Sequence, residues 1–264
     1  MTPRIVAIVQ ARMRSSRLPA KVLADLRGMP MIARVVRRVR AIPRVSEVVV
    51  ATGAHEANRP LVDAGRTLGV AVFAGSEDDV LDRYYQAARE HRADVVVRIT
   101  ADCPLLDPEV SGRVVHRYLA GDVDMAANVY PPTFPDGFDT WVVSMAALER
   151  AWREARLRSE REHVMPYIAK HTESFRVANV ASPTDLSAHR WTVDEPEDLA
   201  FVCRVYDALD RGEGMFSTRE VLDLLAREPG LRGLNAGIGR DEGYAKSLRE
   251  DAIVSVLPAD QPKA

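Results

Sequence analysis

Short uninterrupted apolar runs recur along the first part of the chain. Residues 4–9 read RIVAIV, residues 45–52 read VSEVVVAT and residues 94–100 read DVVVRIT. Runs without alternation, rich in β-branched residues, suit strands that are covered on both faces. A helical pattern follows each of them. In PMIARVVRRVRAI the apolar Ile32, Val35, Val36 and Val39 fall at helical spacing, which leaves Arg34, Arg37, Arg38 and Arg40 as the expected solvated face. In GSEDDVLDRYYQAAREH, Ser76 with Asp79 three residues on resembles a capping box, and Val80, Leu81, Tyr84, Tyr85 and Ala88 make one apolar face. In LLDPEVSGRVVHRYL, Asp107 is placed to cap a helix opened by Pro108. Strands and helices alternating in this way predict an α/β fold, with a mostly parallel sheet flanked by helices.

After about residue 128 the rhythm changes. PPTFPDGFDTWVVSM has turn residues and then a strand-like stretch, and ALERAWREARLRSEREHVMPYIAKH reads as two helices separated near Arg158. FRVANV and HRWTV read as later strands, followed by a helix from Pro196 to Leu209 and another near residues 217–227. The final PADQPKA is expected to fray. No internal repeat or low-complexity linker divides the chain. The expected organisation is one domain over residues 1–210, with residues 211–264 a helical extension of it.

Composition adds mainly exclusions. At 264 residues, 47% apolar and a net charge of −2, the chain is long enough for a core of its own and gives no electrostatic ground for binding nucleic acid. No run of about 18 apolar residues is present to span a membrane, and Met1–Ile8 is too short for a signal-peptide core, so the expected compartment is the cytoplasm. Cys103 and Cys203 lack Cys-x-x-Cys spacing and a close His partner, and read as buried small residues.

The charge is unevenly placed. Up to residue 40 the bases are Arg4, Arg12, Arg14, Arg17, Lys21, Arg27, Arg34, Arg37, Arg38 and Arg40, against the acid Asp25. Four of them follow the first predicted strand in VQARMRSSRLPAK, with Ser15 and Ser16 among them. Loops at the carboxyl ends of strands are where open α/β sheets bind ligands. Guanidinium forks and an ammonium on such a loop match the dense charge of a polyphosphate. The stretch lacks the Gly-Lys-Ser/Thr of a Walker loop and the paired glycines of a dinucleotide fingerprint. A loop charged for solubility alone is the plainer alternative.

Two carboxylates supply the opposite charge. Asp102, in VVVRITADCPLLDP, ends an apolar run and suits a hard cation such as Mg²⁺, or else caps a turn before Pro104. Asp194, in HRWTVDEPEDLAFV, is either a second such ligand or, with Glu197 three residues on, a helix cap. Arg98, inside an apolar strand, must find a partner or lie near the rim.

Taken together and in order, QARMRSSRLPAKVL, GSEDDVLDRYYQAA, VRITADCPLLDP, PDGFDTWVVS, EREHVMPYI and RWTVDEPEDLAFV resemble the CMP-sugar synthetase type of cytidylyltransferase. Within that family the resemblance is to the spore-coat polysaccharide biosynthesis branch, which is acylneuraminate cytidylyltransferase-like. It runs from about residue 4 to 205, and weakly through GIGRDEGYAKSLRED at 237–251. The resemblance implies a Rossmann-like nucleotidyltransferase that moves CMP from CTP to a hydroxyl of an acidic sugar, releasing pyrophosphate, in surface-polysaccharide precursor synthesis. On the matching positions Arg12, Arg17 and Lys21 hold the triphosphate, with Gln10, Ala11, Ser16, Arg98 and Thr100 also on the nucleotide side. Ser76, Asp82 and Arg83 lie near the nucleotide. Asp102 and Asp194 hold Mg²⁺, and Arg12, Lys21 and Asp102 form the catalytic set. Asp136, Asp139, Arg161 and His163 lie on the acceptor side; Arg161, His163 and Arg98 could each meet an acceptor carboxylate. Family members are commonly homodimers.

Two departures stand out. The family pattern has Gly where this chain has Arg14 and where it has Ala20, and Gly permits φ > 0 and close backbone approach. Two other classes stay open on the sequence. One is a metal-dependent glycosyltransferase using Asp122-Val123-Asp124 as an Asp-x-Asp motif; the other is a non-catalytic nucleotide-binding protein in which Arg14 and Ala20 mark a decayed site.

Overall fold

The computed structural model describes residues 2–212 and 214–254, so PADQPKA lies outside the described residues. Seven strands form one sheet: β1 (Ile5–Gln10), β2 (Glu47–Gly53), β3 (Ala71–Gly75), β4 (Val95–Thr100), β5 (Met125–Ala127), β6 (Trp141–Ser144) and β7 (Val177–Asn179). Their order is β3-β2-β1-β4-β6-β5-β7. Among the described strands, β6 alone runs against the rest, pairing antiparallel with β4 and β5. The helices are α1 (Met31–Arg40), α2 (Arg59–Thr67), α3 (Val80–Glu90), α4 (Pro108–Leu119) and α5 (Met145–Glu154). They continue with α6 (Arg158–His163), α7 (Pro166–Lys170), α8 (Pro196–Leu209), α9 (Thr218–Arg227) and α10 (Glu242–Arg249).

The pleat divides each strand between two cores. Ile5, Ala7 and Val9 of β1, with Val95, Val97 and Ile99 of β4, face the layer built by α1, α4, α8 and α9. Val6 and Ile8, with Val96, face the layer of α3, α5 and α7. Burial on both sides explains why these strands read as continuous apolar runs rather than alternating ones. From β1 the chain winds outward through β2 to β3, then returns to place β4 on the other side of β1. The β1–β4 seam is therefore the switch point of the sheet. The two strands are parallel and in register, with Ile8 opposite Arg98 and Gln10 opposite Thr100, so their loops leave the same edge side by side.

Several expectations need correction. HRWTV forms no strand; Arg190 makes one isolated bridge to Asp136, and the segment runs buried between two loops. Its backbone is spent on them, Trp191 N donating to Asp136 O at 2.7 Å and Val193 N to Asp102 O at 2.8 Å. Residues 145–170 make three helices, α5 to α7, with the first break at 155–157 and another at Val164. The α1 arginines are not all solvated: Arg34 and Arg38 are buried. Arg34 pairs with Asp210 at 2.7 Å, and Arg38 donates to the carbonyls of Leu106 and Phe216 at 3.1 and 3.2 Å. Periodicity within α1 could not reveal that residues beyond 200 fold over its polar face. Asp79, not Ser76, is the N-cap of α3, and Glu195 with Asp198, not Asp194 with Glu197, caps α8. Asp107 caps α4 as expected. Cys103 is buried and Cys203 only half-buried. Among the described residues no helix is long and apolar enough to cross a membrane.

Candidate active site

The loop after β1 is pinned at several points. Ala11 N donates to Ala51 O at 3.0 Å, Met13 N to Asn58 Oδ1 at 2.9 Å and Ala20 N to Met13 O at 2.9 Å. Ala20 has φ 58° and ψ 16°, the left-handed region, so one of the two positions where the family pattern has Gly does carry a Gly-favouring conformation. Arg14 is not among the residues with positive φ. The turn at Ala20 delivers Lys21 inward, where its side chain is 9% exposed.

Lys21 Nζ donates to Asp102 Oδ2 at 3.0 Å, Asp194 Oδ1 at 2.8 Å and Val193 O at 2.6 Å. Two carboxylates from distant loops thus converge on one ammonium. Burial pushes the Asp102 carboxyl up, but the Lys21 charge and hydrogen bonds from Thr100 and Lys21 outweigh it and hold the group down to about 2. For Lys21 the burial that would lower its pKa is likewise outweighed by Asp102 and Asp194, and the ammonium is held above its ordinary value. Arg17 adds a second cation, 3.2 Å from Asp194 and 3.0 Å from Glu195.

Asp194 is oriented from behind by Arg190, whose guanidinium also reaches Asp136 and Asp198. Asp136 belongs to the PDGFD segment, which crosses residues 190–192 at close range. Gly137 makes that crossing possible: its φ is +106°, and a Cβ there would lie 2.7 Å from Thr192 N.

Two cavities meet at this centre. The larger, about 700 Å³, lies between the β1 loop and α10 and is lined by Arg12, Ser15, Ser16, Arg17 and Lys21 on one side and Lys246 and Arg249 on the other. The smaller, about 350 Å³, is lined by Arg98, Tyr130, Asp136, Asp139, Trp141 and His163. Arg12, Arg17, Thr100, Asp102 and Asp194 border both. α10 roofs them without burying a residue of its own. It is tied by polar contacts: Ser247 Oγ to Glu162 at 3.0 Å and to His163 at 2.9 Å, and Arg240, just before it, to Asp139 at 2.6 Å.

Gln10, Ala11, Arg12, Ser16, Arg17, Lys21, Thr100, Asp102 and Asp194 line the larger cavity. Arg98, Asp136, Asp139 and His163 line the smaller. Four residues assigned to the site line neither. Ser76 Oγ accepts from Asp79 N at 3.0 Å, inside the turn before α3. Asp82 accepts from Trp152 Nε1 at 2.9 Å on the far side of α3. Arg83 is buried and donates to Ser76 O at 2.7 Å. Arg161 donates through Nε to Asp79 at 2.9 Å and through Nη1 to Trp152 O at 2.6 Å, so its charge is spent on the helix cap. Asp122 and Asp124 also line neither; Asp124 accepts from Arg176 N at 2.8 Å. Sequence reasoning missed Arg190, Glu162 and the α10 residues. The signal for Arg190 was its spacing, since Arg190, Asp194 and Asp198 recur every four residues.

Burial pushes the Asp139 carboxyl up to about 7, against the pull of Arg240, with Asp136 adding to the rise. Burial likewise raises Asp136 to about 6 and, with the Arg98 and Arg12 charges helping, lowers His163 to about 4. Among the described residues no group of three or more His, Cys, Asp or Glu side chains could hold a metal by itself. Asp102 and Asp194 nevertheless fit Mg²⁺. Their oxygens converge within about 3 Å of one point already occupied by positive charge, and Mg²⁺ takes one or two carboxylates with phosphate oxygens and water.

A switch-point cleft with a basic loop on one strand and a carboxylate on its neighbour, in a Rossmann-like mixed sheet, is the architecture of a nucleotidyltransferase. The chain belongs to the cytidylyltransferase family, whose model matches residues 6–214. It is 31% identical over 232 residues to the spore coat polysaccharide biosynthesis protein SpsF of Bacillus subtilis, covering 85% of this chain and 95% of SpsF. Its fold matches a cytidylyltransferase from Leptospira borgpetersenii with a TM-score of 0.82 and 28% identity, over 87% of this chain and 97% of that one. At 19% identity and a TM-score of 0.59, over 78% of this chain and 99% of the other, it shares the fold of CMP:2-keto-3-deoxy-manno-octonic acid synthetase complexed with CTP.

Proposed function

We propose that the protein transfers CMP from CTP to a hydroxyl of an acidic sugar, releasing pyrophosphate. The observation that carries this reading is the Asp102–Lys21–Asp194 cluster at the junction of two cavities, one bordered by the basic β1 loop and sized for a nucleotide, the other smaller. The acceptor oxygen forms a bond to the α-phosphorus, the α–β anhydride bond breaks with its electron pair leaving on pyrophosphate, and the hydroxyl proton passes to solvent water. Such a displacement needs alignment and charge neutralisation more than a covalent intermediate. Arg12 and Arg17 border both cavities and would bind the phosphates; Lys21 fixes the carboxylates and supplies charge beside them. Mg²⁺ held by Asp102 and Asp194 would supply neutralisation of the phosphates and lower the pKa of the attacking hydroxyl. The synthetase complexed with CTP supports the nucleotide, and the SpsF likeness supports a role in surface-polysaccharide precursors. The same reading, from the family resemblance, includes a cytoplasmic homodimer with residues 211–264 as an extension of the catalytic domain.

The test is pyrophosphate release with Mg²⁺, pairing CTP, UTP, ATP and GTP with a panel of acidic sugars and phosphonates. Release that needs CTP and one acidic sugar establishes the reaction. Release with a phosphonate alone moves the acceptor class, and absence of both release and Mg²⁺-dependent CTP binding overturns the proposal. The glycosyltransferase alternative loses its motif, because Asp122 and Asp124 stand outside both cavities.

A further inference from the structure

Four arginines line the smaller cavity, and three have an evident means of solvation. Arg17 and Arg190 are ion-paired with carboxylates, and Arg12 is exposed to water. Arg98 is different: it is only 6% exposed, and among the described residues it makes no ion pair within 4.0 Å. Its Nε has no hydrogen-bond partner, and Nη2 has one long contact, 3.4 Å to Gln10 Oε1. The guanidinium carbon lies 4.4 Å from the Trp141 ring centroid, on the strand paired with its own, and 5.9 Å from that of Tyr84. Aromatic faces stabilise a cation while leaving its N–H donors unused. A buried guanidinium with free donors beside a cavity is costly unless an anion completes it.

We infer that Arg98 is the receptor for the carboxylate of the acceptor, and so the residue that selects a sugar acid over its neutral counterpart. The inference rests on the reading of the smaller cavity as the acceptor site. Arg98 borders that cavity and not the larger one, which separates it from the nucleotide side where the family resemblance puts it. A planar fork suits a carboxylate, which can take two parallel N–H bonds. The rest of the lining indicates the remainder of the ligand. Asp136, Asp139, Glu162 and Asp241 surround the cavity with hydrogen-bond acceptors, which sugar hydroxyls satisfy and a phosphate dianion would oppose. The ligand class that fits is a polyhydroxylated monoacid, its acid at Arg98 and its hydroxyls toward the carboxylates.

The test is direct binding to the full chain, without turnover. N-acetylneuraminate, galacturonate, galactose and inorganic phosphate are titrated into wild type, Arg98→Met and Arg98→Lys by calorimetry, and Mg²⁺-CTP is titrated into the same samples. The expected result is that a sugar acid binds wild type, that galactose and phosphate bind more weakly, and that Arg98→Met weakens the acid by roughly 10- to 100-fold. CTP affinity should stay within about twofold, since Arg98 does not line the nucleotide cavity, and Arg98→Lys should recover only part of the acid affinity. Unliganded Arg98→Met should melt no lower than wild type, because an unpaired buried charge has been removed; a purely structural arginine would melt lower. The inference is overturned if neither acid binds wild type, if phosphate binds better than both, if Arg98→Met leaves the acid unaffected, or if it weakens CTP equally. Failure to bind CTP with acid binding still dependent on Arg98 would instead sink the cytidylyl-transfer reading and leave this one standing.

Discussion

Arg190 and Asp198 meet in a two-armed contact, Nε to Oδ1 and Nη2 to Oδ2, each at 2.9 Å, with Asp198 fully buried. The same Asp198 carboxylate accepts the backbone N–H of Asp194 at 2.9 Å and of Glu195 at 3.0 Å. One pair therefore caps α8 and fixes the residue next to the cap, Asp194, whose other oxygen faces Lys21. Replacing Arg190 by Met leaves three carboxylates without their shared cation. The expected cost is about 3–5 kcal/mol in urea unfolding, and Arg190→Lys should recover only part of it because an ammonium cannot reproduce the fork. A variant as stable as wild type would show that the network carries no such weight.

The central ion cluster makes a kinetic prediction. Asp102→Asn keeps the shape of the side chain and removes its charge, and turnover should drop by about 10²- to 10³-fold. Lys21→Ala should fall as far and also lose about 1.5–3 kcal/mol of stability through its charged hydrogen bonds. Pyrophosphate release and denaturant midpoints on both variants decide the matter; unchanged release in both would remove the cluster from the reaction.

Asp139 makes a prediction about pH. Its folded carboxyl is pushed up to about 7 from an ordinary value near 3.8. Between those values the folded chain holds a proton that the unfolded chain has released, so this group's contribution to stability falls as pH rises from about 4 to 7. Asp136, raised to about 6 by burial, acts with the same sign. His163, lowered to about 4, acts with the opposite sign, since the unfolded imidazole binds the proton first. The readout is therefore the difference between wild type and Asp139→Asn. The variant should gain on wild type steadily across pH 4 to 7, and parallel curves would count against the raised carboxyl.

Ala20 sits in the left-handed region at φ 58°. A side chain there costs about 1–2 kcal/mol, while Gly loses roughly 0.4–1 kcal/mol through a freer unfolded chain. Ala20→Gly should then stabilise by about 0.5–1 kcal/mol, seen as a higher urea midpoint, whereas Arg14→Gly, with no such conformation to relieve, should not stabilise.

The fold was legible where burial alone decides structure. β1, β2 and β4 are covered on both faces, so their runs announce themselves, and the loops carrying Lys21 and Asp102 follow from those strands. β3 and β5 were missed because AVFAG is half-buried and MAA is three residues long. HRWTV carried β-like residues into a place where no strand lies beside it. Arg34 and Arg161 show a second limit: a charge looks solvated, or available to substrate, until a distant segment supplies Asp210 or Asp79 as its partner. A helical extension was expected beyond residue 211, but the place of α10 over the cavities was illegible for a related reason: it buries none of its residues and is held by polar contacts to distant segments.

The ammonium of Lys21 between Asp102 and Asp194 bears on the order in which this molecule is made. Two facing carboxylates with nothing between them would hold their loops apart until an ion arrived, and such a protein would depend on mineral supply to finish its native state. Here a tethered cation does that work as soon as the loops meet. Folding is thereby freed from any need for a metal: the chain should fold fully in chelator, and a divalent ion, if Asp102 and Asp194 take one, would meet loops already closed.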